Sequence, residues 1–162
     1  MRRSIYRLFG RLPKPLRRMV VRLATPTWTA GVVAILERED GRWLLVRPVY
    51  RRGWTLPGGL LDRGEDPETA VVREFDEELG LPIRVVGEPW VVYDSAMRRI
   101  DAVFRAEALG TFDPDGVAIR TPELEGVGWF DPAAPPPTED ETDDVLALAI
   151  QVASGGSRIL WR

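Results

Sequence analysis

The fifteen residues DPETAVVREFDEELG, from Asp66 to Gly80, constrain the chain more than any other stretch. Asp66 suits the N-cap of a helix and Pro67 its first position, while Gly80 suits the left-handed residue after the last turn. Pro82 blocks continuation, so a helix is predicted over 67–79. At about 100° per residue, Val71, Val72, Phe75 and Leu79 gather on one face, and Glu74, Glu77 and Glu78 line the neighbouring one. Like charges at this spacing repel by a few tenths of a kcal/mol. Two readings of the stripe follow. It is a solvated acidic face, or it borders a cleft where a divalent cation turns repulsion into coordination; magnesium suits the second, because it takes a few carboxylates, keeps waters and bridges to phosphate oxygens.

What the chain lacks narrows its chemistry. It has no cysteine and no histidine, which excludes disulfides, thiol nucleophiles, Ser-His-Asp triads and His/Cys zinc sites. Acid–base work must fall to carboxylates, and a bound metal must accept oxygen ligands: magnesium, manganese or calcium. With 162 residues, 44% hydrophobic and 29% charged, one soluble globular domain is expected. No apolar run approaches the roughly 18 residues that span a bilayer, and the N-terminus lacks a secretory apolar region, so a cytoplasmic location is the expectation.

Charge is unevenly spread. Residues 1–25 carry Arg2, Arg3, Arg7, Arg11, Lys14, Arg17, Arg18 and Arg22 against no acid; since the whole chain is −3, this +8 leaves −11 for the remainder. Within this arm Ile5, Leu8, Phe9 and Leu12, then Leu16, Met19, Val20 and Leu23, recur at helical spacing, and Pro13 and Pro15 separate them into two short amphipathic helices. Three roles are open to the arm: docking on the domain as a helical layer or homodimer contact, lying on an anionic membrane surface, or contacting nucleic acid.

Beyond the arm, WTAGVVAIL and RWLLVRPV flank a turn at Asp40-Gly41 and read as two adjacent antiparallel strands. WTLPGG reads as a short strand entering a turn, and residues 83–87, 89–95, 99–109 and 124–131 as further strands, with SAMRR as a hairpin connection. DPAAPPPTED is a proline-rich loop leading to a second helix over 142–153. The pattern predicts an α+β fold, a mixed sheet covered by helices on both faces. The organisation expected is an arm over 1–25, a domain over 26–155 and a tail over 156–162.

From Gly59 the chain holds five residues, then Glu65, seven residues, then Arg73-Glu74-Phe75-Asp76-Glu77-Glu78-Leu79-Gly80-Leu81. At these intervals it resembles the box of the Nudix hydrolase family; Phe75 stands where that family usually has an aliphatic residue. WTLPGG before the box and PELEGVGWF after it extend the resemblance from about Thr29 to Pro132. The resemblance implies an α/β/α sandwich and hydrolysis of a nucleoside diphosphate linked to another moiety. It implies Glu74, Glu77 and Glu78 as ligands of Mg2+, with Mn2+ as a substitute, and the Gly59 carbonyl as an additional ligand. Arg73 would orient the glutamates, Glu65 would stabilise the contact of loop and helix, and Gly80 would cap the helix.

Hydrolysis of a diphosphate requires a water to attack a phosphorus surrounded by negative oxygens, and a base to take its proton. Without histidine the base is a carboxylate: Glu77 or Glu78 in the box, or one outside it, for which the resemblance points to Glu123 and Glu125, on the segment ahead of the strand GVGWF that in the family lies near the metal. Arg51 and Arg52 are candidates for bidentate contact with phosphate oxygens, or are surface charges. Trp54 is a candidate for substrate stacking, or packs beside the Pro57 turn. Two rival functions are a non-hydrolytic nucleotide sensor on the same fold, against which the intact carboxylate set argues, and isopentenyl diphosphate isomerase, whose chemistry looks to a cysteine absent here. Ala96 stands where ADP-ribose pyrophosphatases often carry proline, so the expected substrate stays at the level of a nucleoside diphosphate derivative.

Overall fold

The computed structural model describes residues 9–110, 113–136 and 159–161. Its elements are α1 (Lys14–Ala24), β1 (Thr29–Leu36), β2 (Trp43–Pro48), β3 (Gly58–Leu60), α2 (Pro67–Leu79), β4 (Ile83–Asp94), β5 (Arg99–Ala108), β6 (Leu124–Phe130) and β7 (Ile159–Trp161), with a 3₁₀ turn at Pro114–Gly116. The strands form a five-stranded mixed sheet, ordered β3-β1-β5-β4-β7, and a two-stranded sheet of β2 and β6. The helix expected over 142–153 and most of the arm's first helix lie outside the described residues.

β1 is the middle of the architecture. Its last six residues are buried, because an unbroken run of apolar residues has no face to give to water. β1 pairs antiparallel with β3 and parallel with β5. On one side of the strand Val32, Ala34 and Leu36 pack with Ala70, Val71, Phe75 and Leu79 of α2 and with Phe104 and Ala106 of β5. On the other, Val33 and Ile35 join Trp43, Leu45, Leu56, Val92 and Val103.

The expected β1–β2 hairpin is half present. The turn closes, with Gly41 N–H donating to the Arg38 carbonyl at 2.9 Å, Gly41 at φ +81° and Arg38 paired to Asp40 at 2.9 Å. The ladder stops after a single bridge between Glu37 and Trp43, and β2 leaves to pair antiparallel with β6. A reverse turn fixes the direction of the chain, but β1 is flanked by β3 and β5 and has no edge left for β2.

The two strands expected over 83–87 and 89–95 form one strand, β4, whose register on β5 shifts between Val86 and Trp90. Gly87 at φ +73° and Pro89, which lacks an N–H, produce that bulge. Three residues assigned to a tail, Ile159–Trp161, instead run parallel to β4 as an edge strand. In the arm, α1 is helical as its spacing predicts, but it buries none of its residues.

Candidate active site

α2 has the boundaries its sequence predicts. Asp66 accepts a hydrogen bond from Thr69 N–H at 3.0 Å and another from the Thr69 hydroxyl at 2.6 Å, and these bonds hold its carboxyl below the usual range. At the far end Gly80, at φ +60°, donates to the Asp76 carbonyl at 2.8 Å, and Leu81 donates to that of Phe75 at 3.2 Å. Buried Leu81 supplies the apolar contact that accompanies this type of C-terminus.

With Ala70, Val71, Phe75 and Leu79 buried, the glutamate stripe is fixed at the rim of the β3 turn. Arg73 organises it. Its Nε and Nη2 meet Glu65 at 2.9 and 3.0 Å, its Nη1 meets Glu74 at 2.8 Å and Glu77 at 3.1 Å, and Nη2 also donates to the Leu60 carbonyl at 3.3 Å. Glu65, which further accepts from Asp62 N–H at 3.0 Å, is held below its ordinary value mainly by the Arg73 bond. Those same contacts raise the Arg73 pKa. The i+4 partner Glu77 was legible from spacing; the tighter partner is Glu65, brought close by the loop.

Glycine is required at position 58, and at the next position a side chain would displace Glu74. A Cβ on Gly59 would lie 2.4 Å from Glu74 Oε1, and one on Gly58, at φ +142°, would lie 2.1 Å from the Val32 carbonyl oxygen. Glu74 therefore packs directly on the backbone of Gly59, and its pKa is raised, foremost by burial.

Glu78 is the most perturbed carboxyl of the cluster. Burial pushes its pKa up to about 7, the neighbouring charges of Glu74, Glu123 and Glu77 add to this, and a bond from Gly58 N–H opposes it. Its Oε2 is buried without a hydrogen-bond partner, an arrangement that carries a desolvation penalty unless a proton or cation fills the place. The charge of Glu123 thus reaches Glu78. Glu125 Oε1 lies 3.0 Å from Arg47 Nε, off the hydrogen-bonding line, since Arg47 Nε has no bonded acceptor.

The oxygen donors suit a hard divalent ion, and their charge asks for one. Among the described ion pairs, Glu65, Glu74 and Glu77 share a single cation, Arg73, and Glu78 takes part in none of them. Yet among the described residues no three acidic side chains converge at metal-ligand spacing. Glu77, although it shares Arg73 Nη1 with Glu74, keeps its side chain 60% exposed. The inner part of the stripe is thus a crowded carboxyl pair, Glu74 and Glu78, with Glu77 at its margin.

The remaining candidates are dispersed. Trp54 packs on Phe130 at a 59° tilt with centroids 4.6 Å apart, lies under the Arg47 guanidinium at 5.7 Å and packs against the second core cluster. Arg51 lies 6.0 Å over the Tyr50 ring, and Arg52 is exposed. Two further contacts join residues far apart in the sequence. Arg120 donates its N–H to the Glu78 carbonyl at 2.8 Å, and its guanidinium carbon lies 1.8 Å from where a Gly80 Cβ would be. Asp101, buried on β5, is bonded by Arg99 at 2.7–2.9 Å; its Oδ1 is 2.2 Å from the position of a Gly31 Cβ, a point only 3.3 Å from the Gly59 carbonyl. The alternation Arg99-x-Asp101 within a strand was the available signal for the second, while nothing local points to the first.

Residues 27–149 match the model of the NUDIX domain. A MutT-like protein of Streptomyces ambofaciens is 39% identical over 108 residues, 66% of this chain and 66% of that protein. An RNA pyrophosphohydrolase of Hydrogenovibrio crunogenus is 28% identical over 119 residues, 62% of this chain and 72% of that one. The MutT NUDIX hydrolase structure from Burkholderia pseudomallei superposes with a TM-score of 0.60 at 30% identity, covering 75% of this chain and 98% of that one. The chain spans about two thirds of the length of the MutT-like relative. With the box seated on a capped helix beside the β3 turn and the domain model covering most of its length, the chain belongs to the Nudix hydrolase family.

Proposed function

We propose that this chain is a magnesium-dependent pyrophosphohydrolase that cleaves a nucleoside diphosphate linked to another moiety. The observation that carries this reading is Glu78, a buried carboxyl with an unpartnered oxygen, crowded by Glu74 and Glu123. Nudix hydrolases generally use divalent metals, and a resident Mg2+ or Mn2+, held by Glu74 and Glu78 with Glu77 and the Gly59 carbonyl available, would neutralise diphosphate charge and lower the pKa of water. Glu65 fixes Arg73, and Arg73 in turn holds Glu74 against Gly59. Glu123 is the better base of the outside pair, because its charge reaches Glu78 whereas Glu125 is engaged by Arg47. Arg51 and Arg52 are assigned to the substrate's phosphates, and Trp54 to packing. The catalytic unit is the domain over 26–155 together with its edge strand β7.

A substrate panel tests the proposal: nucleoside triphosphates, nucleotide sugars, ADP-ribose, dinucleoside polyphosphates and 5′-triphosphate RNA, each with Mg2+. Wild type is expected to turn over at least one of them. Glu78→Gln should lose roughly 10²-fold or more in kcat, and Glu77→Gln less. Full turnover by both variants would overturn the assignment.

A further inference from the structure

α1 is built for a partner that the described body does not supply. At about 100° per residue, Leu16, Met19, Val20 and Leu23 fall within an arc of about 100°, and Lys14, Arg17, Arg18 and Arg22 occupy the opposite side. None of its eleven residues is buried; Leu23 is 80% exposed and Met19 50%. Although the chain outside residues 1–25 carries −11, no basic residue of α1 makes an ion pair among the described residues. Trp28, just past the helix, is also exposed.

We infer that α1 lays the enzyme on an anionic lipid bilayer. A helix this short is marginal in water on its own, so its apolar stripe needs cover. Nucleic acid would engage the arginines and leave Leu23 and Met19 wet. A second copy would cover the stripe but leave both outward basic faces without an acidic partner. An anionic bilayer offers negative headgroups and hydrocarbon at adjacent depths, matching a helix whose charged and apolar arcs lie back to back. The arm's +8 with no acid makes that match electrostatic as well as geometric. The inference is independent of the hydrolytic reading.

The test is co-sedimentation of the full chain with vesicles of phosphatidylcholine, with and without about one third phosphatidylglycerol. Binding to the anionic vesicles should exceed binding to the neutral ones by roughly tenfold and fall as salt rises. Two double variants, Met19→Glu with Leu23→Glu and Arg17→Glu with Arg18→Glu, should each lose roughly tenfold. Their thermal midpoints should match wild type, since α1 buries nothing. Equal binding to both vesicle types, retention of binding by the Met19/Leu23 variant, or a dimer in sedimentation velocity that this variant dissolves would each overturn the inference. So would retention on RNA without retention on anionic vesicles.

Discussion

The two described helices are both short, amphipathic and charged on one face, and they end in opposite situations. α2, with 13 residues, buries Ala70, Val71, Phe75 and Leu79 against β1, β3 and β4, and its acids meet an internal cation, Arg73. α1, with 11 residues, buries nothing, and its cations meet no described acid. Periodicity writes a helix in either case. What decides its role is whether the fold supplies the complementary face: α2 is held so firmly that like charges stay crowded on it, whereas α1 is left to seek its complement elsewhere. The matched family span, 27–149, takes in α2 and leaves α1 outside.

Truncating the apolar face of each helix should separate them most widely. Phe75→Ala empties a fully buried position and is expected to lower unfolding free energy by about 3–5 kcal/mol, measured by urea denaturation. Leu23→Ala should change it by less than about 0.5 kcal/mol. Comparable losses would mean that α1 is packed on the body after all.

The crowding on α2 has a pH signature in the metal-free protein. Glu78 is raised in the folded state from an ordinary 4.5 to about 7, so folding favours its protonated form. Its contribution to stability is fully present below about pH 4.5 and is lost as pH rises to about 7, an effect on the order of 3 kcal/mol. Glu65 and Asp66 are shifted the other way, and their contributions fade only as pH falls. Thermal midpoints of the metal-free protein should therefore decline between pH 4.5 and 7. Glu78→Gln should flatten that decline, and an unchanged slope would contradict the burial of this carboxyl.

A smaller effect is expected at the end of α2. Gly80→Ala places a side chain at φ +60° and displaces the Arg120 guanidinium; the backbone term alone is about 1 kcal/mol. Because the Arg120 backbone is tied to the Glu78 carbonyl and leads to Glu123, kcat should also fall by several-fold. A loss of stability with kcat intact would show that this loop does not set the position of Glu123.

What was legible in the sequence follows from the range of the interactions. Asp66, Pro67 and Gly80 act within one turn of their own helix, and its limits could be read residue by residue. The destination of β2 could not, because the Asp40-Gly41 turn says nothing about which edge the next strand finds, and β6 lies about 80 residues on. The box spacing marked Glu65, Arg73 and the glutamates together, but only the fold shows that Arg73 spends two of its nitrogens on Glu65 and divides the third between Glu74 and Glu77. Arg120 over Gly80 and Asp101 against Gly31 were invisible for the same reason: each contact spans some 40 to 70 residues of chain.

In the proposed mechanism Glu74 and Glu78 form a site that a divalent cation completes. Calorimetric titration of Mn2+ into the metal-free protein at pH 8, where Glu78 is ionised, tests it most directly. A saturable binding event is expected in wild type, weakened roughly tenfold or more in Glu78→Gln and unchanged in Glu125→Gln. No saturable binding in wild type, or identical isotherms for wild type and Glu78→Gln, would contradict it.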